Sequence, residues 1–117
     1  MIVFKEIEDS KLFNTLTYAG YENETFFGRC QVNLNKDIAY LEVLEIDDKF
    51  RGNNLGEGLL RSTLNKLDKI GIKKVYYKCY NPYLIKMGFV KEDNRVYVDL
   101  PNFFNSKCRS GEIDNEI

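Results

Sequence analysis

Histidine and tryptophan are missing from the 117 residues of this chain, and proline occurs only twice. Without histidine there is no Ser-His-Asp or Cys-His nucleophilic centre and no His-ligated metal. Cysteine occurs three times, as Cys30, Cys79 and Cys108. The odd number and the wide spacing argue against a disulfide framework and against a zinc site, so no metal is expected and the expected compartment is reducing cytoplasm. No apolar run approaches the ~18–20 residues that cross a bilayer, which excludes a membrane helix. The start, MIVFKEIEDS, lacks the basic-then-apolar pattern of a secretory signal. Repeats, low-complexity tracts and Pro/Ser-rich linkers are absent too.

What remains is the composition of one globular domain, 44% hydrophobic and 30% charged. The length suffices for one domain and not for two. A single domain is expected over residues 1–104, followed by a polar, flexible tail over 105–117. The net charge of −1 hides an asymmetry, because residues 49–91 carry ten basic groups against Glu57 and Asp68, while both flanks are acidic. A basic middle between acidic ends fits an anionic ligand held by the middle segment. The alternative is a solvated lysine-rich face.

Ile2, Phe4 and Ile7 read as a first strand. Residues 9–25 are ambiguous, since Leu12, Phe13 and Leu16 fit a short helix and Leu16 to Tyr18 fit a strand. Phe26 to Leu34 reads as a strand, and Asn35-Lys36-Asp37 as the turn before the next one. In Ile38 to Ile46 the apolar parity switches, because Leu41 and Val43 alternate with Glu42, and then Leu44 and Ile46 alternate with Glu45. Inserting one residue reverses which face is apolar, so a β-bulge near Val43–Leu44 is one reading; a strand buried on both faces is the other. After a loop at 47–54, Leu55, Leu59, Leu60, Leu64, Leu67 and Ile70 form a helical stripe. Gly71 with Ile72 fits a Schellman stop. Lys73 to Tyr80 is a strand, Asn81-Pro82 opens a short helix to Met87, and Phe89 to Leu100 make a hairpin. The unit at 38–80 is β-loop-α-β, so its two strands should be parallel. The expected fold class is α+β: a mixed, mostly antiparallel twisted sheet with that central unit, one main helix and one short helix.

The chemistry sits in Arg51-Gly52-Asn53-Asn54-Leu55-Gly56-Glu57-Gly58. Glycines let the backbone approach a ligand closely, and Asn tolerates the left-handed region. The first N–H groups of a helix lack partners and carry the positive end of its dipole, which suits phosphate or pyrophosphate. The glycine spacing fits neither the Walker A loop nor the dinucleotide fingerprint.

The string from Ile46 to Leu60 resembles the acyl-CoA loop of the GNAT superfamily of N-acyltransferases, R-G-x-G-[IL]-G-x-[AG]-L-L after a strand end and an aromatic. Asn81…Gly88-Phe89 is similar to the family's second signature, an Asn opening a short helix that closes in Gly-Phe. The resemblance covers roughly residues 38–100. It implies acetyl-CoA as the acyl-donor co-substrate. Backbone amides of Arg51 to Gly56 would hold the pyrophosphate, with Glu57, Gly58 and Asn81 in the same site, and free backbone near Leu44 and Ile46 would pair with pantetheine. Lysines of the middle segment would meet the 3′-phosphate. It also implies attack of an amine on the thioester, with a strand carboxylate as base: Glu42 first, Glu45 second.

The family's acid is commonly a Tyr at the position of Leu84 here, so Tyr83 is the candidate, and Tyr80 the alternative. Asn54 replaces the second loop glycine, and residues 9–25 are too few for the two helices that normally wall the acceptor site. The expected function is therefore an acetyl-CoA-dependent N-acetyltransferase acting on a primary amine of a small molecule or peptide, as monomer or homodimer. The alternative is a CoA-binding regulatory or interaction module with little or no catalysis. A third reading, a nucleic-acid binder using the basic segment with Tyr76, Tyr77 and Tyr80, is opposed by the net charge, and no nucleic-acid partner is expected.

Overall fold

The computed structural model describes residues 1–8 and 14–104. Seven strands form one sheet: β1 (Ile2–Ile7), β2 (Thr15–Glu22), β3 (Thr25–Asn35), β4 (Ile38–Ile46), β5 (Lys74–Tyr77), β6 (Val90–Glu92) and β7 (Arg95–Asp99). Their spatial order is β1-β2-β3-β4-β5-β7-β6. Every neighbouring pair is antiparallel except β4–β5, which is parallel. Helix α1 (Leu55–Lys69) makes the crossover between that pair, and α2 (Pro82–Met87) follows β5. Among the described residues no helix is long and apolar enough to cross a membrane.

The ambiguous stretch resolves as a strand from Thr15 onward, and Leu12 and Phe13 lie outside the described residues. Strand pairing wins because Leu16 faces Val32 and Tyr18 faces Cys30 across β2–β3. That puts the side chains of all four residues on the core face, where Leu16, Cys30 and Val32 are buried. The two-residue turn Asn23-Glu24 holds both residues at positive φ, 49° and 75°, the twist that matches a tight hairpin. The tail expected at 105–117 lies outside the described residues.

The core forms between the sheet and the two helices. Leu59, Leu60, Leu64 and Leu67 of α1 are buried against Val32, Ala39, Val75 and Val96 of the sheet. Leu84 and Met87 bring α2 into the same cluster. Both helices stop alike. After α1, Ile72 N–H donates to Leu67 C=O at 2.9 Å and Gly71 N–H to Asp68 C=O at 3.2 Å. After α2, Phe89 N–H donates to Leu84 C=O at 2.9 Å and Gly88 N–H to Ile85 C=O at 3.0 Å. These are two Schellman motifs, with Gly71 and Gly88 at φ 97° and 118° where other residues would be strained.

β4 does carry a bulge, one residue earlier than its parity suggested. Gln31 pairs with Val43 and the next residue, Val32, pairs with Leu41, so Glu42 is the inserted residue. Leu41, Leu44 and Ile46 all pack toward the core, leaving Glu42 and Val43 together on the other face. β5 is shorter than expected. It pairs with β4 only at Ile38–Lys74, Ala39–Val75 and Tyr40–Tyr76. Beyond Tyr40 the two strands part, and a wedge opens between Leu41–Ile46 and the segment after Tyr77.

Candidate active site

The corner between β4 and α1 is fixed by its aromatic side chains and left bare along its backbone. A 3-10 turn over Asp48–Phe50 follows β4. Asp47 N–H donates to Phe27 C=O at 2.8 Å, which ties the turn to β3. The Phe50 ring lies 5.5 Å from the fully buried ring of Phe27, and Phe4 meets Phe27 edge-on at 6.0 Å. β3 has its own bulge here, because Gly20 pairs with Gly28 and Tyr21 with Phe26, which leaves Phe27 inserted. Gly20 makes room for it: a Cβ there would sit 2.4 Å from the Phe27 ring. None of these aromatic contacts was read from the sequence. The adjacent apolar pair Phe26-Phe27 before Gly28 was the available sign of a second parity switch.

After Phe50 the chain turns through Gly52 (φ 90°) and Asn54 (φ 60°), the left-handed positions that favour Gly and Asn. The amides of Gly52, Asn53, Asn54, Leu55, Gly56 and Glu57 make no hydrogen bond among the described residues. Residues 51–54 are exposed. Two members of the expected set have their amides already engaged. Arg51 N–H is used up, donating to Asp48 C=O at 3.3 Å, and its Nε reaches the Ile46 carbonyl and Asp48 Oδ1, each at 3.3 Å. Gly58 N–H donates to Asn54 C=O at 3.3 Å, and a Cβ on Gly58 would stand 2.5 Å from Phe4. Gly58 is therefore a packing glycine that lets α1 lie close on β1.

Gly56 has a different neighbour. A Cβ there would meet the Tyr83 hydroxyl at 3.3 Å and Ile46 Cγ1 at 3.6 Å. The end of β4, the start of α1 and the start of α2 thus converge at the wedge, with a phenol between them. Burial is the main cause that raises the Tyr83 pKa above the ordinary tyrosine value; the Glu57 carboxylate adds to it and the Arg61 guanidinium opposes it. The phenol therefore stays protonated at neutral pH. Glu57 itself is held by Arg61 Nη2 at 3.1 Å. Leu84, at the family's tyrosine position, is buried in the core. Asn81 caps α2, its Oδ1 accepting from Leu84 N–H at 3.1 Å. Tyr80 is 53% exposed, outside this convergence.

Glu42 is exposed on the helix-free face and accepts from Gln31 Nε2 at 3.4 Å. Glu45 is committed to Arg29 at 3.0 Å. Of the two carboxylates, Glu42 is the less engaged and stands on the bulge itself. Leu44 and Ile46 run along the open edge of the wedge, although the Ile46 carbonyl already accepts from Arg51.

No family model and no curated protein sequence matches the chain. Solved structures match it well. The ribosomal-protein-S18-alanine N-acetyltransferase of Escherichia coli superposes with a TM-score of 0.76 at 13% identity, covering 86% of this chain and 94% of that one. The fold is that of the GNAT acetyltransferases. The PaiA N-acetyltransferase of Thermoplasma acidophilum, solved with coenzyme A, gives a TM-score of 0.69 at 19% identity over 77% of this chain and 63% of its own. The GNAT protein YhbS of Escherichia coli, also with CoA, gives 0.67 at 17% identity, over 80% of this chain and 63% of its own. Seven residues (8–14) lie between β1 and β2 in this chain.

Proposed function

We propose that the chain is an acetyl-CoA-dependent N-acetyltransferase acting on a primary amine. One observation carries the reading: a bulged strand parts from its parallel neighbour beside a helix start whose amides, from Gly52 to Glu57, are unbonded among the described residues, with residues 52–54 exposed and 55–57 half-buried. Those amides and the dipole behind them offer a cradle for a diphosphate. The wedge offers a course for pantetheine along Leu44 and Ile46, with Arg51 Nε giving up the Ile46 carbonyl. Asn81, whose Oδ1 is engaged as a cap, contributes through the start of α2 that it orders.

In this reading the acceptor nitrogen attacks the thioester carbonyl. Its proton passes to Glu42, directly or through one water, and the C–S bond breaks as the thiolate takes the Tyr83 proton. The phenol is protonated at neutral pH and so holds the proton to be given, while its raised pKa makes it a weak acid whose contribution is the smaller of the two. Glu42→Gln is expected to lower kcat by about 10²–10⁴-fold and Tyr83→Phe to lower it less, both with acetyl-CoA binding intact.

A CoA-binding module without turnover is the second reading. The short β1–β2 connection and the buried Leu84 favour it. A thermal-shift titration with acetyl-CoA, followed by a thiol-release assay over a panel of amines, separates the two. Binding at 100 times Kd should stabilise the fold by ~2.7 kcal/mol. Binding without thiol release favours the module, and no shift at all removes both readings.

A further inference from the structure

The wedge has a second mouth, on the face of the sheet opposite α1. There Tyr40, Leu41 and Glu42 of β4 face Tyr76, Lys78 and Arg95 across a cleft of about 460 Å³. It starts where strand pairing ends, at Tyr40–Tyr76. Its floor is aromatic: the Tyr40 and Tyr76 rings stack at 5.9 Å and 27°.

Its banks carry opposite charges. Glu42 stands on the β4 side, held only by Gln31 Nε2 at 3.4 Å. On the other side the Arg95 guanidinium lies 4.1 Å from the Tyr76 ring centroid and is paired with Glu92 at 3.3 Å. Lys78 is exposed and has no ion-pair partner among the described residues. With Arg95 paired to Glu92, an acceptor with several positive charges would find one free carboxylate, Glu42, and be repelled by Lys78. A molecule carrying an ammonium and a carboxylate satisfies both banks, and a flat apolar body lies against the exposed Tyr40 ring, since Arg95 already covers Tyr76.

Resting on the acyltransferase reading, we propose that the acceptor is a small zwitterion of the aromatic amino-acid class, entering this cleft with its amine at Glu42 and its carboxylate at Lys78. The amine then lies on the bulge, beside the wedge that would hold the thioester. Lys78 is a specificity residue: it selects the acid and has no part in the proton transfers.

Phenylalanine, phenethylamine and spermidine are compared on the full chain, by calorimetric titration with and without CoA and by acetyl transfer. Phenylalanine and phenethylamine share ring and amine and differ by the carboxylate. Phenylalanine is expected to bind about tenfold or more tightly than phenethylamine, the scale of one charge-assisted contact, and spermidine not at all. Lys78→Ala should bring the ratio to near unity and leave both phenethylamine and CoA affinities unchanged. Equal or better binding of phenethylamine or spermidine overturns the proposal, as does no phenylalanine binding. A loss of CoA affinity in Lys78→Ala also overturns it, because the lysine then serves the donor. Failure of CoA to bind the native chain sinks the acyltransferase reading instead, while the titrations without CoA still decide whether the cleft selects a zwitterion.

Discussion

On one face of the sheet, α1 and α2 bury five leucines and most of the aliphatic core. On the other, Tyr40, Tyr76 and Tyr97 stand in a row at 5.9 and 5.8 Å with no helix over them among the described residues. Both faces are rich in large side chains, yet they differ in what holds them. The covered face relies on area removed from water, about 25 cal/mol per Å². The bare face relies on ring stacking and on cations laid over rings, Arg95 on Tyr76 and Lys74 on Tyr97. The first arrangement is rigid and specifies the fold. The second keeps its hydrogen-bonding and charged groups accessible, which a binding surface requires. The bulge at Glu42 links them, because it keeps Leu44 and Ile46 on the covered side while moving a carboxylate to the bare one.

Breaking the covered side should cost most. Phe27→Ala is expected to lose about 3–5 kcal/mol in urea unfolding, and to weaken acetyl-CoA binding as Phe50 and the corner lose their anchor. An unchanged affinity would show that the corner holds its shape without the aromatic cluster. Alkaline pH probes the same side. Burial pushes the Cys30 thiol from 9.0 up to about 12, with the Thr63 hydroxyl partly opposing the rise. Its folded-state pKa is raised, so its contribution is intact below pH 9.0 and is lost as pH climbs toward 12. The expected slope is about 1.4 kcal/mol per pH unit in that window, and Cys30→Ala should flatten it. In a thiol-labelling experiment the exposed Cys79 should react at once and Cys30 only on unfolding.

At the junction of the two faces, Asn54→Val forces a β-branched residue to φ 60° and should cost about 1–2 kcal/mol, with acetyl-CoA affinity falling in parallel. Asn54→Gly should leave both unchanged. On the bare side, Tyr76→Ala is expected to cost only about 0.5–1.5 kcal/mol in stability. A loss as large as that of Phe27→Ala would mean that the row of tyrosines is a second core, and the contrast between the faces would fail.

The path from sequence to fold was shortest where one residue type had one physical use. The leucine stripe, Gly71 before Ile72, and Asn81-Pro82 to Gly88 correspond to a buried helix face, a stop and a capped helix. The parity switch in β4 left a bulge and a strand buried on both faces open, and the pairing with β3 decides for the inserted residue that returns Leu44 and Ile46 to the face of Leu41. The glycines of the corner were harder to read. Gly52 serves a turn, Gly56 leaves room for Tyr83, and Gly58 admits the Phe4 ring from a strand more than fifty positions earlier in the chain. That last use depends on a partner no local pattern names. The same limit hid Phe27, whose insertion shows only against β2, and the loss of the Arg51 amide to the 3-10 turn. The shortness of β5 was illegible too, since Lys78 and Cys79 continue the alternation of a strand although β4 has already turned away.

The parallel seam between β4 and β5 spans three residue pairs, and everything else in the sheet belongs to a leaf on one side of it. A molecule whose amides bridged the gap would rivet the leaves together, so occupancy should be recorded as slowed deuterium uptake at Leu44 and Tyr77, even where the average shape of the protein does not move.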